Sequence, residues 1–421
     1  MKRPRPSVWA GRAGRWAWLL APAPRSWRLL TCAVVLGLVL TSAVLHADGG
    51  MDNAFVVKAA RALLDGRSPY EDRRFLYLPS AVLMAVPEAL LPGWLLRVVA
   101  PALACGLLVV GWWCALRLFE VPVRSRFAVG GLCLLVVGYS PVSNLVLLSN
   151  WTALSVAALP LALLLAFRGR WLAAGLTVGV AIAAKPMLVP VVLLFVLARK
   201  WRALAVVVLV PVCAALLGGL LVPRPLLFFT KTLPFLLGGQ DSFALVWDAS
   251  PVAVLPRLGV PEPLALGVAL VGALGGLGAA LLRWRAPQQA GSGGVDALCL
   301  VETSCATMLA AFLVSRPSFD HYLLLVLPLL LASGVREGSA PRSPWFWVAL
   351  VPQFGVVRWA FLSGSGHRAF KDCFTLCVLA VTSVRRCAAP PRGTVGGAQP
   401  ARIPHQPTAS GRAPATESSR F

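Results

Sequence analysis

Long apolar runs separated by short polar segments make up most of the chain. Between Trp27 and Leu362, apolar runs recur without the two-residue alternation of a barrel strand, and many approach the roughly 20 residues that a helix needs to cross a bilayer core. Because lipid offers no hydrogen bonds, a spanning chain must bond its backbone internally, which such runs do as helices. The pattern therefore predicts an all-α, polytopic integral membrane protein.

The apolar runs predict about eleven transmembrane helices. The predicted spans are residues 27–46, 94–115, 127–147, 151–167, 171–184, 186–198, 203–222, 263–282, 295–314, 322–335 and 344–362. The segment 76–91, interrupted by Pro79 and Pro87, is predicted to be re-entrant or peripheral. The runs on either side of Lys185 are too short for two straight spans, so we expect a hairpin whose tip lies below the outer surface and is reached by a cavity.

Composition and charge agree with this class. Hydrophobic residues make up 58% of the chain and charged residues 13%, whereas soluble domains carry about 25% charged residues. The net charge of +23 does not indicate a nucleic-acid partner, because Arg and Lys lie in short clusters between apolar runs, as the positive-inside rule requires. We predict a cytoplasmic basic N-terminus (1–26), a membrane domain (27–362) and a variable segment ending in a disordered basic tail (363–421).

A helix is predicted in the first outer loop, from Asp52 to Gly66. Asp52 suits the N-cap, Ala59 and Leu63 share an apolar face, and Gly66 suits the position that ends a helix. A carboxylate at the start of this helix faces whatever enters from the lipid layer. The alternative interpretation is that Asp52 only caps the helix.

Positions in the first outer loop and several later stretches form an ordered set of motifs. The first-loop positions are Asp52, Phe55, Ala59, Leu63, Leu64, Gly66, Pro69, Tyr70, Tyr77 and Pro79. The later stretches are, in order, Leu148-Ser149-Asn150, Ala181 to Pro186 followed by Arg199 to Arg202, Asp248-Ala249-Ser250, and Ser315 to Tyr322. In this order the motifs resemble those of glycosyltransferase family 87, membrane enzymes of the GT-C type that use polyprenyl-phosphate mannose. The resemblance covers roughly residues 27–345.

The resemblance implies a GT-C-type bundle that transfers mannose, or a related hexose, to a glycolipid or lipid-linked glycan on the outer face of the plasma membrane, with inversion. Asp52 is then the general base. Cationic groups stabilise the departing phosphate, and the candidates are Lys185, His321 and Arg316, with Lys231 behind them. The substrate-binding candidates are Asp48, Tyr70, Tyr77, Asn150, Asp248 and Asp320. We expect no metal or organic cofactor, with Asp48 and Asp52 as the alternative metal ligands.

Each candidate also has a structural interpretation. Lys185 can extend to the interface, Asp320 can pair with Arg316, and Asp248 can be a turn residue. Glu302, inside an apolar run, is either functional or bonded to a hydroxyl or backbone group within the bundle.

Two other functions remain as alternatives to transfer. A transporter or flippase of a lipid-linked sugar needs ionisable residues along a through-path, whereas the acidic residues here gather on one side. An inactive homologue that scaffolds other envelope enzymes is supported by three departures from the family pattern: Asn53-Ala54 after the aspartate, a missing glutamine before Asn150, and Tyr322 in place of a second histidine.

Overall fold

The computed structural model describes residues 15–46, 49–72, 74–237, 242–286, 295–355 and 367–388. Within these ranges the α-helices are α1 Arg15–Leu20, α2 Arg25–Leu45, α3 Met51–Leu64, α4 Pro79–Ala89, α5 Gly93–Leu118, α6 Arg126–Val136, α7 Ser140–Leu147, α8 Thr152–Phe167, α9 Trp171–Ala184, α10 Val192–Leu197, α11 Trp201–Leu221, α12 Leu233–Leu237, α13 Ser242–Leu245, α14 Pro251–Arg257, α15 Glu262–Arg285, α16 Ala297–Val314, α17 Leu327–Ser333, α18 Pro344–Leu350 and α19 Arg368–Ala388. Short 3-10 helices cover Pro69–Glu71, Pro186–Val191, Asp320–Leu325, Ala340–Arg342 and Val351–Gln353, and Phe228–Thr232 forms a π-helix.

Five of the described helices are long and apolar enough to cross a membrane, namely α2, α5, α11, α15 and α16. The pair α7 and α8 would make a sixth span, although it is bent by 118°. The all-α polytopic prediction is therefore confirmed, while the count of eleven spans is not. The predicted span 127–147 is divided into α6 and α7, because Gly138 has a φ of +66° and Pro141 lies in the first turn of α7.

The predicted hairpin around Lys185 is present. Helix α9 ends at Ala184, and the chain returns through Pro186–Val191 and α10. The two ends of this hairpin meet: the ring centroids of Trp171 and Phe195 are 5.9 Å apart, and Lys200 Nζ lies 5.7 Å from the centre of the Trp171 ring. Lys185 is consequently at the tip, one helix length away from this basic end.

Basic residues from distant parts of the chain gather at the end of the bundle opposite Lys185. Trp284 Nε1 donates to the Leu197 carbonyl at 3.1 Å, which brings the end of α15 next to the end of α10. The buried Glu302 accepts from Arg283 Nε at 2.5 Å, so its partner is an arginine rather than the hydroxyl or backbone group expected from the sequence. These basic residues therefore lie together at one end of the bundle.

Helix α3 begins one residue earlier than predicted and is capped differently. The N-cap is Gly50, with a φ of +105°, so the prediction that Asp52 caps the helix is wrong. The N–H groups of Asp52 and Asn53 donate instead to the Leu148 carbonyl, at 3.2 and 3.3 Å. At the other end Gly66 has a φ of +71° and the Gly66 and Arg67 N–H groups donate back into the helix, which is a Schellman motif and agrees with the predicted end.

Helix α4 supports the hairpin tip from the side. It has 11 residues, too few for a crossing, in agreement with the prediction for 76–91. It packs between α3 and α11, and Ser80 Oγ donates to the Ala183 carbonyl at 2.6 Å, two residues before Lys185.

Helix α19 packs against α15, α16 and α18 within the segment expected to be variable. Its buried face is polar: Gln353 Nε2 donates to Asp372 Oδ1 at 2.8 Å and to Thr375 Oγ1 at 3.0 Å, and Thr375 Oγ1 donates to the Ala349 carbonyl at 2.8 Å. These bonds fix the start of α19 next to α18 and the 3-10 helix Val351–Gln353. The prediction of a disordered tail concerns residues that lie, from 389 onward, outside the described ones.

Candidate active site

A cavity of about 910 Å³ opens at the end of the bundle where Lys185 lies. Its wall is largely apolar and aromatic, with Phe55, Trp247 and Phe312 among the lining residues. The ionisable, amide and tyrosine side chains in the wall are those of Asp52, Arg74, Tyr77, Asn144, Asn150, Lys185, Arg316, Asp320, His321, Tyr322, Arg368 and Asp372. Residues from most of the length of the chain thus converge on one pocket.

Asp52, Asn150 and Lys185 form a continuous hydrogen-bonded chain in this wall. Asn150 Nδ2 donates to Asp52 Oδ2 at 2.5 Å, and Lys185 Nζ donates to Asn150 Oδ1 at 2.8 Å. Lys185 also donates to Thr152 Oγ1 at 2.8 Å, which leaves one of its three N–H donors for a ligand. The amide orients the carboxylate, and the ammonium group orients the amide.

The local sequence explains why these three side chains meet. The break between α7 and α8 turns through Ser149, which has a φ of +45°, and exposes the Leu148 carbonyl to the N-terminus of α3. Asn150 follows directly, and its Oδ1 also accepts the N–H of Thr152 at 2.8 Å, so the amide caps the start of α8. Lys185 reaches the same point because the hairpin tip ends there.

Aromatic rings enclose the Lys185 ammonium group. Nζ lies 5.7 Å from the centre of the Tyr77 ring and 5.4 Å from that of Tyr322, within the range of cation–π attraction. Tyr77 stacks on Phe75 with centroids 5.6 Å apart. Burial, followed by the charge of Asp52, raises the pKa of Tyr77 well above its usual value, so the phenol stays protonated and neutral.

A second polar cluster lies around Asp320 and His321. Asp320 accepts from Arg368 Nη2 at 2.7 Å, from the His321 N–H at 2.7 Å and from Asn144 Nδ2, and its Oδ1 is 3.3 Å from His321 Nδ1. Burial alone would raise the pKa of Asp320, but the hydrogen bond from His321 and the charge of Arg368 outweigh it and lower that pKa. His321 is 3% exposed, and its Nε2 has no hydrogen-bond partner within the described part of the chain.

Arg316 and Asp248 form a separate, weaker pair. Arg316 Nε lies 3.9 Å from Asp248 Oδ2, and the Arg316 side chain is 46% exposed in the cavity wall. Asp248 is buried and accepts the N–H groups of Ser250 and Ser318 at 2.9 Å each. Burial raises the pKa of Asp248 despite these bonds. Asp320 is therefore paired with Arg368 rather than with Arg316.

Most of the candidates predicted from the sequence line this cavity. Those that do are Asp52, Lys185, His321, Arg316, Tyr77, Asn150 and Asp320. Tyr70 is fully buried behind the wall, where its hydroxyl donates to the Tyr77 carbonyl at 3.1 Å, and Asp248 supports the loop that carries Arg316. Lys231 is exposed and is not in the wall, so two substrate-binding candidates and one phosphate candidate lie away from it. Asp48 lies outside the described residues.

Four polar wall residues were missed by the sequence analysis, namely Arg74, Asn144, Arg368 and Asp372. Asn144 gave a usable signal, because an amide inside an apolar run needs a partner. Arg368 and Asp372 gave none, since they follow the last predicted span. In the described ranges, His, Cys, Asp and Glu residues do not form any group of three or more that could hold a metal ion.

Comparison with known proteins gives one family and several curated relatives. The profile described as glycosyltransferase family 87 matches residues 75–317, more than half of the 421 residues. An α-(1→3)-arabinofuranosyltransferase of Mycobacterium tuberculosis (strain H37Rv) is 28% identical over 340 residues, covering 78% of this chain and 76% of its own. No solved structure matches the chain significantly.

Two further relatives carry the same description. The α-(1→3)-arabinofuranosyltransferase of Corynebacterium glutamicum is 26% identical over 348 residues, covering 78% of this chain and 75% of its own. That of Mycolicibacterium smegmatis is 25% identical over 291 residues, covering 68% and 65%. The sugar in these names is a pentose in its furanose ring, which does not support the expectation of mannose or another hexose.

Proposed function

Because the chain belongs to glycosyltransferase family 87 and is therefore a multi-pass membrane glycosyltransferase, we propose that it transfers an arabinofuranosyl residue from a polyprenyl-phosphate donor to a hydroxyl group of a glycolipid or lipid-linked glycan. The choice of arabinose rests on the names of its relatives. The observation that carries the proposal is one cavity holding a carboxylate, Asp52, together with the cationic side chains of Lys185 and Arg316 and the imidazole of His321.

The reaction needs a base for the acceptor. As the acceptor oxygen attacks the anomeric carbon, its proton moves to the Asp52 carboxylate. Asp52 is half-buried in the wall and is oriented by the Asn150 amide, which leaves its other oxygen for the hydroxyl. The new bond joins the acceptor oxygen to the anomeric carbon, with inversion.

The reaction also needs stabilisation of the leaving group. The bond between the anomeric carbon and the phosphate oxygen breaks, and its electron pair stays on the polyprenyl phosphate. Lys185 has one N–H donor left, and His321 Nε2 has no other partner within the described chain. A donor already fixed in place, such as that of Lys185, stabilises the charge that develops on the phosphate, and it is worth about 2.7–4 kcal/mol if it acts like an oxyanion donor.

The proposed location is the plasma membrane, with the cavity on the extracytoplasmic side. The basic clusters lie at the opposite end from Lys185 and the cavity. The positive-inside rule then assigns the cavity to the outer face, where a lipid-linked donor and a growing glycan would both be accessible.

The test uses the full chain, purified and reconstituted in lipid nanodiscs. Polyprenyl-phosphate arabinose and polyprenyl-phosphate mannose are each supplied with a panel of arabinosylated and mannosylated lipid acceptors, and products are identified by mass spectrometry. We expect a product with the arabinose donor that Asp52→Asn abolishes. Asp65→Asn is the matched control, because Asp65 is an exposed carboxylate near the other end of α3, paired with Arg67 at 2.9 Å.

Other outcomes would contradict the proposal. Product only from the mannose donor would overturn the sugar. Movement of the donor across vesicle membranes without any product would favour a flippase. Rescue of a deletion strain by the Asp52→Asn variant would favour the scaffold alternative.

A further inference from the structure

Arg368 reaches the cavity from the last described helix, beyond the stretch that the family profile matches. The profile ends at residue 317, whereas Arg368 is the first residue of α19 and lines the cavity. Its side chain is 25% exposed. The cavity wall is therefore completed by a part of the chain that neither the sequence motifs nor the family match singled out.

The contacts of Arg368 point at one carboxylate. Arg368 Nη2 donates to Asp320 Oδ2 at 2.7 Å, while Nε is farther from Asp372 Oδ2, at 3.8 Å. The guanidinium carbon lies 5.4 Å from the centre of the Trp247 ring. This contact helps to fix the orientation of the planar guanidinium group. Asp320 is almost fully buried, so its negative charge depends on such a partner.

Asp320 in turn holds His321. Its Oδ1 accepts the backbone N–H of His321 and faces the ring at Nδ1. A carboxylate at Nδ1 keeps a proton on that nitrogen and fixes the orientation of the ring. Nε2 has no partner within the described residues, and it is the ring nitrogen left for a ligand in the cavity that His321 lines. The chain of contacts thus runs from Arg368 through Asp320 to His321.

We propose that Arg368 is a positioning residue for transfer, acting through Asp320 to hold His321 in the orientation that binds the departing phosphate. This inference rests on the proposed function. Loss of Arg368 would leave Asp320 buried with weaker support, so the carboxylate would take up a proton or rotate, and His321 would lose its orienting acceptor.

A purely structural role of Arg368 can be distinguished from a role in transfer, because other contacts also hold α19 in place. Gln353 bonds to Asp372 and Thr375, and Thr375 bonds to the Ala349 carbonyl. Helix α19 also packs along α15 and α16 over its length. A variant at Arg368 therefore keeps most of what fixes the helix.

The experiment is a double-mutant cycle on the reconstituted full chain, with arabinosyl transfer as the readout. The variants are Arg368→Gln, Arg368→Lys, His321→Ala and the double variant Arg368→Gln/His321→Ala. Arg385→Gln is the control, since Arg385 is exposed near the other end of the same helix and is not in this cavity wall. Thermal unfolding midpoints are measured in parallel.

We expect Arg368→Gln to lower kcat by about ten- to a hundredfold, the range typical of losing the hydrogen-bonding group that orients a metal-ligating histidine. Arg368→Lys should recover part of this, and Arg385→Gln should match the wild type. In the His321→Ala background, Arg368→Gln should cost little more, because both changes remove the same interaction.

Independent, multiplicative losses in the cycle would overturn the inference, as would a normal kcat in Arg368→Gln. If Arg368→Gln fails to fold, the same cycle is run with Arg368→Lys. The outcome is distinct from failure of the proposed function: a wild-type chain that makes no product rejects that function, whereas an active chain with a multiplicative cycle rejects only the role of Arg368.

Discussion

Lys185 is the residue whose bonds leave it best placed to act on a bound phosphate. Two of its three N–H donors are taken by Asn150 and Thr152, and two tyrosine rings surround it. Its position is thereby fixed before any substrate arrives, so no free energy of reorganisation is needed when charge develops. The interpretation of Lys185 as a side chain that merely extends to the interface does not account for these bonds.

Lys185→Met should therefore lower turnover more than it lowers stability. The change keeps the apolar stem and removes the charge, with an expected loss of about 2.7–4 kcal/mol of transition-state stabilisation, or roughly 10²–10³ in kcat. Lys58→Met is the control, because Lys58 is a 72% exposed lysine of α3 paired with Asp72. Steady-state kinetics and thermal unfolding midpoints of both variants test this prediction. A normal kcat for Lys185→Met would contradict the role of Lys185 in stabilising the phosphate.

Residue identities at the site could be predicted from the sequence better than residue partners could. Asp52, Lys185 and His321 stood out because ionisable groups next to apolar helices are costly to place in a membrane and mark functional sites. Their partners come from distant positions, as with Asp320 and Arg368, 48 residues apart. No local pattern relates such positions, so the alternative interpretation of Asp320 considered only the nearby Arg316, which pairs with Asp248 instead.

At the scale of the element, the N-terminus of α3 is held against the break between α7 and α8. Gly50 makes this contact close: a Cβ there would lie 2.6 Å from the Leu148 carbonyl oxygen, and its φ of +105° disfavours any other residue. The position of Asp52, two residues later, depends on this contact.

Gly50→Ala should consequently destabilise the protein and lower activity together. The backbone strain alone costs about 1–3 kcal/mol, and the clash must also push α3 away from Leu148. Gly66→Ala is the matched change, with a similar φ of +71° but open space around the new Cβ. It should lower the thermal midpoint with little effect on kcat per folded molecule. Equal kinetic effects of the two variants would argue against this docking.

Helices α15 and α16 are joined near the basic end by Arg283 and Glu302. The side chains are 15% and 7% exposed, and the other carboxylate near Arg283, that of Asp296, is 3.7 Å away and 42% exposed. Glu302→Gln should lower the free energy of unfolding by about 3 kcal/mol, because it leaves a buried arginine with only this longer, partly solvated pair. Transfer by the remaining folded protein should be unchanged, since the pair lies away from the cavity. A thermal midpoint equal to that of the wild type would contradict this.

The presence of helices and their approximate positions in the chain could be predicted from the hydrophobic runs. The points at which one run divides into two helices could not. The run 127–147 is apolar throughout, yet it divides at Gly138 before Pro141. The run 344–362 was expected to continue beyond α18, which ends at Leu350. Hydrophobicity reports burial in lipid or protein alike, so it does not distinguish a straight span from two short helices packed in the bundle.

At the scale of the whole molecule, charge is divided between two ends. The basic clusters lie at one end and the cavity at the other. The sequence could predict this division, because the positive-inside rule depends only on the order of runs and charges along the chain. It could not predict that α19 would join the wall, because Arg368 and Asp372 follow the last predicted span and belong to none of the motifs.

Cysteine labelling of whole cells should report these two ends. In a background with the exposed Cys32 and Cys213 changed to alanine, we expect Arg67→Cys, just after α3, to react with a membrane-impermeant maleimide. Arg285→Cys, at the end of α15, should react only after the membrane is permeabilised. Labelling of Arg285→Cys in intact cells would show that the orientation is the opposite of the proposed one, with the cavity on the cytoplasmic side.

The late position of Arg368 in the chain has a consequence for biosynthesis. A ribosome that has delivered the chain as far as α16 and α17 has already inserted Asp52, Lys185 and His321, yet the wall of the cavity is still open where α19 will pack. The nascent protein therefore gains a closed pocket only after α19 has been made, so a chain terminated before Arg368 would sit in the membrane with its base in place and its pocket unfinished.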